Sequence, residues 1–212
     1  MENDVTGTQD SGLYHHGDLP NALLAAVCEI IEEKGAVNVS LREAARRAGV
    51  SHSAPAHHFG DREGMLAAFA ERGFEILGGE MASAQDSAGG GSALDRLAAV
   101  GAAYVRFAVD RTPYFDVMFR SGIDRRSHEH LHARADSTFA VLMSAVDDFI
   151  SEGGYTEVDP RLLALYFWSL AHGLASLVID GSMPPGLNEL TIEDYIAGVF
   201  GLSEHVLGRT RT

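Results

Sequence analysis

The sequence predicts an all-α protein of about nine helices, with a small helix-turn-helix unit ahead of a larger helical domain. Three observations carry that expectation. Apolar residues recur at three- and four-residue spacing along most of the chain, and the strict alternation of a strand is nowhere found. Helix-capping residues and glycine stops punctuate those stretches. Of 212 residues, 46% are apolar and 22% charged, a balance that buries a core. The expected layout is a disordered tail over 1–12, the helix-turn-helix unit over 13–62 and the helical domain over 63–212.

In chain order, Asp18 suits the N-cap of a first helix, with Pro20 tolerated in its opening turn and Leu19, Leu23, Val27, Ile30 and Ile31 on one stripe. Lys34-Gly35 reads as its stop. Ser40-Leu41-Arg42-Glu43 has the spacing of a capping box, starting a second helix that ends near Gly49. Ser51 or Ser53 caps a short third helix reaching Phe59. Asp61 caps a fourth, which runs through Met65, Leu66 and Phe69 to about Ala84. The run Ser87-Ala88-Gly89-Gly90-Gly91-Ser92 then breaks the pattern.

Residues 93–112 place Leu94, Leu97, Gly101, Tyr104, Val105 and Ala108 on one face. Pro113 opens a short aromatic helix with Tyr114, Phe115, Met118 and Phe119. Residues 127–151 carry Leu131, Ala135, Phe139, Leu142, Val146, Phe149 and Ile150, and helices over 160–180 and 191–207 close the chain. The stretch Leu162 to Ile179 is eighteen residues without a formal charge, the lower limit for a membrane span. It holds Ser169, His172, Gly173 and Ser176 and has no basic flank, so it reads as a helix buried on both sides, against its own core and a partner subunit. No membrane association is expected.

Composition excludes several classes. A lone cysteine, Cys28, permits neither an intrachain disulfide nor a thiolate zinc cluster and fits a reducing cytoplasm. The acidic, polar N-terminus is unlike a secretory signal. Sixteen basic against thirty acidic residues give a net charge of −14, which opposes indiscriminate binding to nucleic acid or anionic membrane. The sequence has no nucleophile elbow, and Gly89–Gly91 follows a helix rather than a strand, so it is a linker and not a phosphate loop. His128, His130 and His132 lack the glutamate spacing of a zinc-protease helix and read as a solvated helix start, with no metal and no cofactor expected.

Function concentrates in residues 40–59. Two short helices meet there with small Ala45 at their crossing, Gly49 in the turn and Val50 as an apolar plug, the spacing of a helix-turn-helix. Any helical hairpin needs a small residue and a glycine, so the spacing alone does not establish DNA binding. Local charge adds to it. Over 40–62, Arg42, Arg46, Arg47 and Arg62 stand against Glu43 and Asp61, a net +2, and the rest of the chain carries −16. His52, His57 and His58 lie in or beside the second of the two helices. A small cationic head on an acidic body suits a protein that docks on DNA through one surface.

Tyr14-His15-His16-Gly17-Asp18-Leu19, then Leu41 to Ser51 (LREAARRAGVS), then His58 to Leu66 (HFGDREGML) resemble the N-terminal domain of TetR-family transcriptional regulators over about residues 13–70. Trp168-Ser169-Leu170-Ala171-His172-Gly173 resembles the Trp…His-Gly signature of the WHG branch of that family. The resemblance implies a cytoplasmic homodimer that binds a palindromic operator on double-stranded DNA as a repressor, released by a small-molecule effector held in its C-terminal half. By position, Ser40, Arg42 and Arg62 would touch phosphates, while Ser51, His52, Ser53, Ala54 and His57, with His58 beside them, would face bases or nearby phosphates. Val50 and Phe59 would be core, and His15-His16 an arm near the DNA backbone. Tyr104, Phe107, Met118, Phe119, Phe139, Met143, Trp168 and His172 would supply the effector pocket, with His172 either its polar anchor or a structural histidine.

The chain departs from the family pattern at Ala56, where many members carry a phosphate-binding tyrosine, and Pro55 removes a backbone donor. Residues 50–59 contain no Arg, Lys, Asn or Gln, the usual bidentate readers of guanine and adenine. Base reading then rests on Ser, His, contact with thymine methyls and DNA shape. The competing reading is an all-α cytoplasmic enzyme or small-molecule carrier whose hairpin is architectural.

The histidine-rich recognition segment yields a pH prediction. Phosphate favours the protonated imidazole, so operator affinity should rise as pH falls from about 8 to 6. The substitution His57→Gln should flatten that rise in a binding titration, and an unchanged profile would remove His57 as the responsible group.

Overall fold

The structure, a computed structural model, describes residues 19–153, 157–187 and 189–208. The expectations placed on the 1–12 tail and on the 14–18 segment with its Asp18 cap lie outside the described residues. Nine α-helices occur among them and no strand: α1 (Leu19–Lys34), α2 (Leu41–Arg47), α3 (Ala54–Phe59), α4 (Arg62–Ser87), α5 (Ala93–Asp110), α6 (Thr112–Arg120), α7 (Glu129–Ser151), α8 (Pro160–Ile179) and α9 (Ile192–Gly208). Short 3-10 turns lie at Ala36–Asn38 and Arg125–Ser127.

The caps explain most boundaries. Ser40 Oγ accepts the Glu43 N–H at 3.2 Å, but Glu43 does not return the bond, because its carboxylate is taken by Arg46 and Arg47; the expected reciprocal box is half formed. Gly49 turns the chain at φ +67°, the left-handed conformation expected of it. Neither Ser51 nor Ser53 caps α3 with its side chain, and the helix begins at Ala54, with Pro55 in its first turn. Asp61 Oδ1 accepts the Gly64 N–H at 2.8 Å and starts α4. That helix runs to Ser87, one turn past the expected end, before the glycine run breaks it. Ser92 and Asp95 then form a complete capping box for α5.

At 26 residues, α4 spans about 39 Å and packs against α1, α3, α5, α6 and α7. Its buried Met65, Phe69, Phe74, Leu77 and Met81 belong to one continuous hydrophobic cluster that also takes Leu23, Val27 and Ile30 of α1 and Val100, Tyr104 and Phe107 of α5. Phe69 stacks on Tyr114 of α6 with ring centroids 4.2 Å apart. On the far side, α8 is the one described helix long and apolar enough to cross a membrane. Its Leu163, Ala164, Phe167, Ala171, Leu174 and Ala175 face the core, while Leu162, Leu165, Tyr166 and Leu177 are exposed on the opposite stripe.

Where α3 meets α4 the backbones nearly touch. A Cβ on Gly64 would lie 2.1 Å from the Phe59 carbonyl oxygen, inside any allowed contact. Gly64→Ala should therefore destabilise the protein by about 1–3 kcal/mol, since a backbone atom cannot swing aside. Gly79→Ala, on an open face of the same helix, should be stabilising by up to about 1 kcal/mol. Thermal or urea melts of the two variants check the pair, and equal effects would contradict the steric account.

Candidate functional site

The head presents a short surface built by α2, the turn and α3. Ala44 and Ala45 are fully buried where the helices cross, and the Val50 N–H closes the turn onto the Ala45 carbonyl at 3.0 Å. Pro55 points into the core, which leaves Ser51, His52, Ser53, Ala56, His57 and His58 exposed and Ala54 half-buried. Val50 and Phe59 pack against the core as partly buried residues. The rings of His57 and His58 stand edge to face, 5.6 Å apart, and both are open to solvent.

The four arginines of the head are not equivalent. Arg47 forms a bidentate pair with Glu33 of α1 at 2.5 and 2.8 Å and also reaches Glu43 at 3.0 Å. Arg46 grips Glu43 at 2.7 and 2.8 Å. Those two guanidinium groups, Arg46 first, hold the Glu43 carboxyl down at about 2. The bonds of Glu33 and Glu43 hold Arg47 well above its usual range. Arg62 turns back into its own domain: Nε donates to the Val39 carbonyl and Nη2 to that of Ala36, each at 2.8 Å, with Val37 at 3.4 Å. Arg42 is exposed, with no carboxylate within ion-pair distance among the described residues. Ser40, spent as the α2 cap, lies exposed beside it. The carboxylates that neutralise Arg47 come from α1, outside the 40–62 segment; Glu29 and Glu33, one helical turn apart, are their signal in the sequence.

The helical body encloses a cavity of about 260 Å³ between α4, α5, α7 and α8. Of the eight residues the sequence offers for an effector pocket, Tyr104, Phe119, Phe139 and Trp168 line it. The other four expected residues do not line it. Phe107 is fully buried elsewhere in the core, Met118 packs over Gly73 of α4, and Met143 is half-buried on α7. His172 lies behind Tyr104, its ring about 5 Å from those of Phe115 and Phe119.

Tyr104 is the hub of the inner wall. Its hydroxyl is 2.7 Å from His172 Nδ1, and Trp168 Nε1–H donates to it at 3.5 Å. Burial pushes the phenol up, so it stays a neutral hydroxyl. Burial, then Arg120, lowers His172 and favours a neutral ring hydrogen-bonded to Tyr104 through Nδ1. Trp168 and His172, one turn apart on α8, thereby grip a single residue of α5. Thr138, the one buried polar side chain among the described residues, donates to the Phe74 carbonyl at 2.8 Å and so ties α7 to α4. Arg125, Asp136 and Thr138 also line the cavity and were not foreseen; Arg125 sits in a connector with no periodic pattern to mark it.

The histidines near 130 are dispersed. His128 Nε2 is 3.4 Å from Glu63 on the first turn of α4, and His132 is 3.6 Å from Asp136. No group of three or more metal-ligating side chains occurs among the described residues.

A helix-turn-helix head, joined by one long helix to a helical body with an apolar cavity, is the architecture of a DNA-binding transcription regulator. Two family models match in succession: "Bacterial regulatory proteins, tetR family" over residues 23–69 and "Tetracyclin repressor-like, C-terminal domain" over 97–196. Together they cover more than half of the chain, which belongs to the TetR family. A protein of unknown function from Rhodococcus sp. RHA1 is 29% identical over 92% of this chain and 97% of that one, with a TM-score of 0.77. A bacterial regulatory protein in the TetR family from Rhodococcus RHA1 shares the fold at 22% identity, 90% and 97% coverage and a TM-score of 0.69. So does the transcriptional regulator FadR from Bacillus subtilis in complex with stearoyl-CoA, at 15% identity, 86% and 96% coverage and a TM-score of 0.69. Among curated proteins none matches the sequence.

The contrast between Arg42 and Arg62 is testable through salt. Arg42→Ala should lower operator affinity and reduce the slope of log affinity against log salt by about 0.9 per subunit, the mark of a lost phosphate contact. Arg62→Ala should lower the melting temperature and leave the slope unchanged. A reduced slope for Arg62→Ala would assign it a phosphate after all.

Proposed function

We propose that the chain is a ligand-responsive repressor that binds a palindromic operator as a homodimer and releases it when a small molecule occupies the cavity. The observation that carries the reading is the reach of α4. Its first turn abuts the end of the recognition helix at Phe59 and Gly64, and its Phe74, Leu77 and Met81 form part of the cavity wall. A ligand that prefers one position of α4 thus acts on the recognition helix without touching DNA, and ordinary couplings of this kind are worth about 1–3 kcal/mol. His128, at the start of α7, also reaches Glu63 on that first turn of α4, at 3.4 Å.

The dimer follows from α8. Leu162, Leu165, Tyr166, Ser169, Gly173 and Leu177 fall at helical spacing on its outer face, all exposed, and Leu202 of α9 is 67% exposed. Gly173 meets nothing within 4 Å, so a second helix has room to approach closely. Pairing α8 and α9 with their symmetry mates makes a four-helix interface of upward of about 2,000 Å². The Trp168–His172 grip on Tyr104 supports placement in the WHG branch, and the stearoyl-CoA held by the Bacillus subtilis neighbour supports the cavity as the ligand site. With a lone cysteine and an acidic surface, the protein is assigned to the cytoplasm.

Binding to DNA from the chain's own promoter, measured at two salt concentrations, tests the reading. A tight, sequence-specific complex with a steep salt slope supports it, and weak binding indifferent to sequence favours the carrier or enzyme reading. Leu165→Glu should convert the dimer to a monomer in sedimentation and weaken operator binding by more than tenfold. A variant that stays dimeric and binds normally would place the interface elsewhere.

A further inference from the structure

Among the cations of the body, Arg125 stands apart. Arg96, Arg106, Arg111 and Arg120 are each paired with a carboxylate on another helix or in a neighbouring loop. Arg125 lines the cavity, is half-buried, and has no carboxylate within ion-pair distance among the described residues. Its guanidinium lies over the Phe74 ring of α4, 5.8 Å from the centroid. The neutral polar groups on the wall are already satisfied. The Tyr104 hydroxyl is hydrogen-bonded to His172 Nδ1 and accepts from Trp168 Nε1–H, and Thr138 donates to the Phe74 and Arg134 carbonyls. What remains for a ligand is an apolar chamber with one cation, Arg125, and one largely exposed carboxylate, Asp136, in its lining.

We infer that the cavity takes an amphiphile with an apolar chain and a single terminal carboxylate, the carboxylate meeting Arg125. Asp136 limits the charge of that head. It also lines the cavity, with a largely exposed carboxylate 3.6 Å from His132, and would repel a dianion or a phosphate cluster more than a monoanion. The satisfied inner wall rejects a ligand rich in hydrogen-bonding groups, because each would lose water without gaining a partner. An alkyl or aryl body loses nothing there. The inference rests on the cavity being the effector site, and its test is kept separate from DNA.

Trp168 is the sole tryptophan of the chain and lines the cavity, so its fluorescence reports occupancy directly. The full-length protein, without DNA, is titrated with decanoate, decanol, decylamine and decanoyl-CoA. Decanoate should bind at least about tenfold more tightly than decanol, the value of one charge-assisted hydrogen bond. Arg125→Gln should erase that preference while leaving decanol binding unchanged, and Arg125→Lys should retain most of it. Should Arg125→Gln melt early, the lysine variant and the four ligands on the unaltered chain still decide. Equal or tighter binding of decanol, decylamine or decanoyl-CoA overturns the inference, as does a preference that survives Arg125→Gln. Operator release is measured apart from this. Carboxylate binding without release would sustain the ligand class and overturn the effector reading. Release by another ligand, with no carboxylate binding, would overturn the ligand class alone.

Discussion

The contact between the Phe59 carbonyl and the backbone of Gly64 is the constraint on which the rest of the molecule depends. With no Cβ between them, the end of α3 lies directly against the first turn of α4, and Asp61 caps that turn from the link between the two. The recognition helix has only six residues and is too short to hold a position by its own hydrogen bonds. Its orientation is lent to it by α4. Arg62 fixes the other side of the junction by bonding three carbonyls of the segment that leads into α2, so both helices of the motif are referred to the start of α4.

That arrangement changes the meaning of the positive head. Of the four arginines that gave the region its charge, Arg46 and Arg47 are matched by Glu43 and by Glu33 of α1, and Arg62 is directed into its own domain. The carboxylates of α1 leave Arg42 and the exposed histidines as the groups that face outward with charge to offer. A head with so little permanent charge neutralises few phosphates, which puts weight on shape and, in the proposed dimer, on the second head.

The local signals in the sequence were the reliable ones. Ser40, Asp61 and Gly49 act where their chemistry placed them, and the stripe of Leu23, Val27, Ile30 and Ile31 is buried. The cavity was legible only in part. Tyr104, Phe119, Phe139 and Trp168 line it, but Phe107 and Met118 are equally apolar and fill solid core. Composition cannot separate a wall from a core, since both want aromatic and thioether side chains; only the packing of four helices leaves the gap. His172 illustrates the same limit. It was visible as a polar group on an apolar helix, and its partner Tyr104 lies 68 residues earlier, a pairing that no local pattern encodes. Arg125 and Arg62 were hidden for the opposite reason, as long side chains whose destinations are set by tertiary structure.

Polar contacts tie all the walls of the cavity together; Arg96 joins α5 to Glu152 at the end of α7, and Arg111 joins the end of α5 to Glu80 of α4. Tyr104, His172 and Trp168 join α5 to α8, and α8 carries the outer face assigned to the dimer. Thr138 joins α7 to the Phe74 carbonyl of α4, and Gly78 leaves room for that approach; His128 and Glu63 join the start of α7 to the first turn of α4. In the proposed dimer α8 is tied to the interface and α4 to the recognition helix, with the cavity between them. A packed interior deforms as rigid units rather than continuously. A ligand lodged between these helices would strain their packing, and in the proposed dimer the position of α4 against α8 would set how far apart the two recognition helices stand. Successive major grooves on one face of DNA recur every ~34 Å, so even a small change in that spacing is felt by both subunits at once.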